Sequence, residues 1–370
     1  MRVLAALSGG VDSAVAAARA KDAGHDVTAV HLAMSKYSAA STDGRSRGCC
    51  TASDANDARR VADALSIPFY VWDVREVFES KVVQQFRDSY ASGETPNPCV
   101  RCNEFVKFDY VLKRAVAFGF DGLVTGHYAQ IKQGVNGAEL HRGLDESKDQ
   151  SYVLAVMRSE DLDSVLFPVG SSLKTEVRSE ADTRGFAVST KPDSYDICFI
   201  PSGKTKTWLK KELGINSGAV VNNRTGELVG THDGVHTLTV GQRRGLNLDQ
   251  SKGPFYVTSL DAKTNTATVG LANDLDSYEF VVESVNWLAS PTTIAEAGGE
   301  FCVQIRAHHR PVTGKVVAST DGHQVQISLR EPVRGLAPGQ SAVWYSGTRV
   351  IGCGTIAKRE SAGDGRKSSH

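Results

Sequence analysis

Residues 2–125 alternate between short apolar runs and longer segments with apolar residues at helical spacing. No other feature of the chain constrains the fold as strongly. RVLAAL reads as a buried strand and DSAVAAARAKDAG as a helix ending at Gly24. DVTAVHLAM is the next strand, ASDANDARRVADALSI an amphipathic helix and PFYVWDV a third strand. Residues 77–90 and 104–118 follow as helices, then GLVTG as a fourth strand. Strands separated by helices pair in parallel, so an α/β, doubly wound parallel sheet is expected. Segments 36–51 and 91–103 are too long and polar for tight connections and are candidate functional loops.

The pattern changes near residue 205. GAVVNNRTGELVGTHDGVHTLTVGQRRGLNL places N-N, T-G and D-G turn signals between short β-like runs. A small mixed central domain is expected over 205–275, after a first domain spanning 1–204. Beyond 264 helical patterns nearly vanish. TNTATVG, SYEFVVESVNWL, EFCVQIRAHH, VTGKVVAST, HQVQISL, SAVWYSG and RVIGCGTI are short strands with D-G and P-G turns. That spacing predicts a C-terminal all-β barrel over 276–360, with Cys302 and Cys353 in its core. The polar tail 361–370 is expected to be disordered.

At 370 residues with 41% apolar content the chain has room for several cores. No apolar run approaches the roughly 20 residues of a membrane helix. MRVLAAL is broken at once by SGG, so no leader peptide is expected and the expected location is cytoplasmic, away from membranes. Seven cysteines are sparse for a disulfide scaffold, and the odd number leaves at least one outside any pairing. The formal net charge is zero, so a polyanion would be held by local patches, the best being GQRRGL (241–246) and IRAHHRP (305–311).

LSGGVDSAV (7–15) joins the first strand to the first helix. Two glycines let backbone N–H groups form a concave nest, Ser8 and Ser13 add hydroxyls, and the helix N-terminus adds a positive dipole end. Phosphate is the natural ligand. The Walker A lysine and the dinucleotide G-x-G-x-x-G are both missing. Asp12 within a phosphate nest suggests a bridging divalent cation, Mg2+. A second constellation, TPNPCVRCNEFVKF (95–108), places Cys99 and Cys102 three apart after a proline turn. Alone, that spacing fits metal, redox or catalytic use.

The S-G-G-V-D-S string resembles the loop of the N-type ATP pyrophosphatases, which split ATP to AMP and pyrophosphate while adenylating a substrate oxygen. TPNPCVRCNEFVKF, TGHYA (125–129), KDQSYVL (148–154), KPDSYDICFI (191–200), HTLTVGQRRGL (236–246) and APGQSAVWY (337–345) follow in order. Together they resemble the tRNA-specific 2-thiouridylases over roughly residues 1 to 357. The resemblance implies a tRNA-binding sulfurtransferase that adenylates the C2 oxygen of the wobble uridine, position 34, in tRNAs for Lys, Glu and Gln, and replaces it with sulfur. ATP contacts implied are Ala6, Leu7, Ser8, Gly9, Gly10, Val11, Asp12, Ser13, Leu32 and Gly126. Implied tRNA contacts are Asn97, Pro98, Cys99, His127, Lys148, Asp149, Gln150 and Gln340. On residue chemistry alone, Leu32 reads as packing and 148–150 as a solvated turn.

The same resemblance makes Cys102 the nucleophile and Cys198 the carrier of a persulfide, with a transient Cys102–Cys198 disulfide reopened by a reductant. A thiolate suits this work because it is strongly nucleophilic and holds sulfur as persulfide. Sulfur would come from a cysteine desulfurase, directly or through a relay protein. Several relatives carry an aspartate acid/base at position 99, where this chain has Cys99, so that oxygen-based role does not transfer. Cys99 as thiolate, Asp193, a water and the phosphates are the alternatives. Cys99, Cys102 and Cys198 would also suit a [4Fe–4S] cluster; a third cysteine that binds no metal is the simpler reading. Cys49 and Cys50 match the family pattern without an implied role. The rival functions are another adenylating ligase or amidotransferase of the same superfamily, which would not need the cysteines, and a non-catalytic RNA-binding module.

Overall fold

The computed structural model describes residues 1–34, 52–193, 197–200, 204–248, 254–289, 298–318 and 323–358. The candidate loop 36–51, Cys49 and Cys50 within it, and the tail 361–370 lie outside the described residues. The first half runs β1 (Arg2–Ala6), α1 (Val11–Asp22), β2 (Asp26–Ala33), α2 (Ala52–Ala64), β3 (Phe69–Asp73), α3 (75–91), α4 (98–117) and β4 (Gly122–Val124). It continues with the hairpin β5 (Ala129–Gly134) and β6 (Gly137–Arg142), a single turn α5 (Ser151–Leu154), β7 (Val165–Leu166) and α6 (Lys174–Thr183). The parallel sheet has the order β3-β2-β1-β4-β7.

Period-two alternation along the central strands divides the apolar residues between two cores. Leu4, Val30 and Leu32 face the side covered by α3 and α4, with Phe78, Phe86, Val106 and Phe108. Val3, Ala5, Val27 and Ala29 face the other side, with α1, α2 and α6. The sheet is therefore doubly wound, as expected. Five alanines of α1 are buried, and their small side chains let this helix sit close against the sheet.

The segment anticipated as a loop through residue 103 becomes helical at Pro98. Asn97 caps the turn, its Oδ1 accepting from the Cys99 N–H at 3.0 Å, and Pro98 sits where no N–H is needed. Cys99 and Cys102 thus ride on the first turns of α4, which widens into a π turn over Cys102–Val111. Such turns are frequent at functional sites.

Next come α7 (Thr205–Leu213) and the strands β8 (Gly218–Asn222), β9 (Leu228–His232), β10 (Asn247–Leu248), β11 (Tyr256–Asp261) and β12 (Thr266–Gly270), ordered β10-β9-β8-β12-β11. Then β13 (Asp276–Trp287), β14 (Glu300–Gln304), β15 (Val312–Ala318), β16 (Gln324–Arg334), β17 (Ser341–Ser346) and β18 (Arg349–Ile356) form an antiparallel sheet that closes through β13–β18 pairing. Inside this barrel Phe301 and Val303 flank Cys302, which strand alternation turns outward; Cys302 is exposed, while Cys353 is buried as expected. The hairpin β5–β6, unforeseen from sequence, leaves the first domain and joins the barrel at His141 opposite Arg349.

The barrel is bolted to the first domain by side chain to backbone bonds. Asn286 Nδ2 donates to the carbonyls of Ala155 and Met157 at 2.8 Å each, and the Tyr152 hydroxyl to that of Ser341 at 2.7 Å. Gln340 Nε2 donates to Thr95 O at 2.5 Å, and Thr95 N–H to Pro338 O at 2.8 Å. The barrel turn 337–340 thereby holds the stretch leading into Asn97. No described helix is long and apolar enough to cross a membrane.

Candidate nucleotide and thiol cleft

A cleft of about 540 Å3 opens above the C-terminal ends of β1, β2 and β4, where open α/β sheets hold their ligands. Its floor is the turn from β1 into α1. The Ser13 hydroxyl donates to Gly10 O at 3.0 Å and accepts from the Ser8 N–H at 3.2 Å, which fixes the curve of the nest. Gly9 has φ +75°, and a Cβ there would lie 2.4 Å from Asp54 O. A Cβ on Gly126 would lie 2.5 Å from Asp12 C and Ser13 N. Only glycine lets the end of β4 approach the start of α1 so closely.

The nest is surrounded by paired charges. Lys174 Nζ lies 2.6 and 2.7 Å from the two Asp12 oxygens, and Tyr128 OH donates to Asp12 at 2.8 Å. Lys174 also pairs with Asp193 at 2.9 Å, as do Lys148 at 2.8 Å and Arg178 at 2.6 Å. Burial by itself would raise the Asp193 carboxyl, but Lys148 and Lys174 hold it well below the usual carboxylate range. It is consequently a weak base, which counts against Asp193 as the substitute for an aspartate at 99. Lys191 donates to Gly9 O at 2.8 Å and pairs with Asp54 and Asp57 at 2.7 Å each. Burial would lower the Lys191 ammonium, yet the two carboxylates keep its pKa raised.

Asn97, Cys99, Lys107 and His127 also line the cleft. His127 is buried; its Nδ1 lies 2.7 Å from Thr125 Oγ1 and its Nε2 3.3 Å from Lys107 Nζ. Burial, then the Lys107 charge, pushes the imidazole pKa well below its ordinary value, so it is neutral. Gln150 Oε1 accepts from the Tyr128 N–H at 2.9 Å. Asp149 accepts from Arg142, Ser151 Oγ and the N–H groups of Gly143 and Ser151, so its carboxylate organises the protein turn.

All ten residues expected at ATP line this cleft, together with Asn97, Cys99, His127, Lys148, Asp149 and Gln150. Pro98 and Gln340 do not line it, and Gln340 instead braces Thr95. Cys102 is buried, with its Sγ 4.0 Å from Met34 Sδ, and Met34 itself lines the cleft. Cys198 is half-buried against the apolar cluster that contains Cys102. Its neighbour Phe199 is fixed edge-on among Phe78, Phe86 and Trp208, with ring centroids 5.8, 5.4 and 5.6 Å away. Sequence reading missed Lys107, Lys174 and Lys191 as cleft residues. Lys107 and Lys191 sit inside quoted motifs, whereas nothing around Lys174 in SSLKTEV signals its role.

Among the described residues no group of three or more His, Cys, Asp or Glu side chains is disposed to hold a metal. Cys99 is exposed and Cys102 is buried, its Sγ 4.0 Å from Met34 Sδ. The Asp12 carboxylate is held by Lys174 rather than joined to a second acidic ligand.

Residues 1–202 match the family described as tRNA methyl transferase HUP domain, 206–271 the tRNA methyl transferase PRC-barrel domain, and 277–356 the aminomethyltransferase beta-barrel domain. The chain is 51% identical over 368 residues to the tRNA-specific 2-thiouridylase MnmA of Acidothermus cellulolyticus, covering 99% of this chain and 100% of that one. It is 49% identical to the protein of the same name from Rhodococcus erythropolis, covering 98% and 99% of the two chains. With its counterpart in Mycolicibacterium smegmatis it shares 50% identity, covering 97% and 100%. The chain belongs to the tRNA-specific 2-thiouridylase family.

Proposed function

We infer that this chain is an ATP-dependent tRNA-uridine 2-sulfurtransferase. One observation carries the reading: the nest, the Gly126 strand end and the Asn97–Cys99 turn meet in one cleft. They do so in a chain about half identical to 2-thiouridylases along its length. The substrates are tRNAs for Lys, Glu and Gln, with the wobble uridine flipped into the cleft between Asn97, Cys99 and His127. The nucleotide enters with its own magnesium, phosphates on the Ser8–Ser13 nest and adenosine toward Leu32.

The uracil C2 oxygen attacks the α-phosphorus. The bond to the bridging oxygen breaks, pyrophosphate leaves with the electron pair, and the N3 proton passes to a base or to water. The terminal sulfur of a Cys198 persulfide then attacks C2, and AMP leaves with the C2–O pair. Cys102 thiolate attacks Cys198 Sγ, which breaks the S–S bond, leaves sulfur on C2 and forms the Cys102–Cys198 disulfide. A thiol reductant reopens it. Release of hydrosulfide by Cys102 from the same persulfide reaches the same product. A cysteine desulfurase or relay protein recharges Cys198.

The test is incubation with unmodified tRNA for Glu, Mg·ATP and a persulfide source, with nucleosides read by mass spectrometry. We expect 2-thiouridine at the wobble position, lost in C102S and C198S. AMP release with no sulfur in RNA would remove the thiolase assignment and leave an adenylating ligase.

A further inference from the structure

Four lysines line the cleft: Lys107, Lys148, Lys174 and Lys191. Three are neutralised by carboxylates, Lys148 by Asp193, Lys174 by Asp12 and Asp193, and Lys191 by Asp54 and Asp57. Lys107 is the exception. Its polar neighbour is His127 Nε2 at 3.3 Å, and among the described residues no carboxylate pairs with it. A lysine ammonium only donates, so Nε2 accepts and the ring proton sits on Nδ1, directed to Thr125 Oγ1 at 2.7 Å. The imidazole therefore orients the ammonium without cancelling its charge. A fixed, uncompensated cation in a cleft calls for an anion.

Position within the cleft selects which anion. Lys174 and Lys191 stand at the nest, on Asp12 and on Gly9 O. Lys107 lines the same cleft from the helix that begins at Pro98, beside His127, the residue after the Gly126 that packs against Asp12 and Ser13. With phosphates on the Ser8–Ser13 nest and a uridine beside Asn97, Cys99 and His127, the α-phosphorus would fall within reach of this part of the cleft. We propose that Lys107 is a catalytic residue of the adenylation step, its ammonium binding a non-bridging oxygen of the α-phosphoryl group as negative charge builds there. This rests on the sulfurtransferase reading. The oxygen–phosphorus bond forms and the pyrophosphate bond breaks as described above; Lys107 keeps its proton throughout and transfers no electrons. Its contribution is electrostatic and larger in the transition state than in the ground state.

The experiment compares full-length wild type with K107M, K107Q and K107R in single-turnover reactions with unmodified tRNA for Glu, Mg·ATP and a persulfide source, following pyrophosphate, AMP and 2-thiouridine. Affinity for α,β-methylene ATP is measured by calorimetry, and folding by far-UV circular dichroism. Loss of one preorganised charge-stabilising donor predicts AMP formation slower by about 10²–10³-fold in K107M and K107Q. K107R should recover part of it, and affinity for the analogue should change by less than about threefold in all three variants. AMP formation at the wild-type rate in folded K107Q overturns the assignment. So does a defect confined to analogue affinity, which would make Lys107 a ground-state phosphate contact. Wild type that releases no tRNA-dependent AMP overturns the sulfurtransferase reading itself, and the role of Lys107 with it.

Discussion

The ammonium of Lys174 holds the two carboxylate oxygens of Asp12 at 2.6 and 2.7 Å across 162 residues of sequence. The loop that receives phosphate thus carries a resident carboxylate, whose charge the lysine cancels. In K174M the Asp12 and Asp193 carboxylates lose a shared cation. We expect ATP affinity to fall by at least about tenfold and stability by about 1–3 kcal/mol, the cost of stripping a partner from a largely buried charged group. Calorimetric titration and urea unfolding measure the two effects. Unchanged ATP affinity would remove Lys174 from the phosphate site.

Met34 lines the cleft and packs on Cys102, its Sδ 4.0 Å from the buried Cys102 Sγ. If this side chain shields the thiol, shortening it exposes Cys102. M34A should therefore speed alkylation of Cys102 by iodoacetamide several-fold, whereas M34L, which keeps the bulk, should not. Peptide mapping of the alkylated thiols distinguishes Cys102 from Cys99. Equal rates in all three proteins would show that Met34 is no barrier.

Phe199 anchors the segment that carries Cys198 by edge-on contacts to Phe78, Phe86 and Trp208. Removing that ring leaves a cavity, so F199A should lose about 3–5 kcal/mol in denaturant unfolding. C198S should unfold near the wild-type midpoint yet transfer no sulfur. That contrast separates the anchor from the chemistry. An F199A protein as stable as wild type would mean the aromatic cluster closes over the gap.

His127 supplies a pH signature. Its folded pKa lies well below the unfolded value, through burial and then the Lys107 charge. The unfolded chain thus binds the extra proton first, and stability falls as pH drops below about 6.5, the ordinary histidine value. The contribution is fully present above that pH. The Cε1 proton of His127 should keep its neutral chemical shift from pH 8 to below pH 6 in NMR titration. In H127Q the slope of stability against pH in that window should be smaller. A midpoint near 6.5 for His127 would contradict the buried, neutral imidazole.

Gly126 closes the cleft floor, where an added Cβ would sit 2.5 Å from the backbone of Asp12 and Ser13. Backbone on both sides cannot give way cheaply, so G126A should displace the start of α1. We expect nucleotide affinity at least about tenfold weaker, measured by calorimetry. Full affinity in G126A would mean that the nest tolerates the shift.

Periodicity alone carried the doubly wound sheet. Leu4, Val30 and Leu32 alternate with Val3, Val27 and Ala29, and a two-residue repeat has only two faces to serve. The anion nest was legible for the same kind of reason, since Gly9 and Gly10 with Ser8 and Ser13 are local in sequence and act through their own backbone. The start of α4 was misjudged because the Asn97 cap and Pro98 turned an apparent loop into a helix. The exposure of Cys302 was misjudged because strand register, rather than composition, decides which side chains point inward.

Lys174 reaching Asp12, Lys107 without a carboxylate among the described residues, Cys102 packed on Met34, and the barrel turn bracing Thr95 had no sequence signal of comparable strength. Each depends on which side chains the fold brings within a few ångströms. A charge or thiol takes its reactivity from those neighbours and its solvation, and both exist only once distant segments have packed together. The sequence by itself determined the layered sheet, the phosphate-binding turn and the set of reactive residues. Tertiary structure decided how those residues are paired, shielded and exposed.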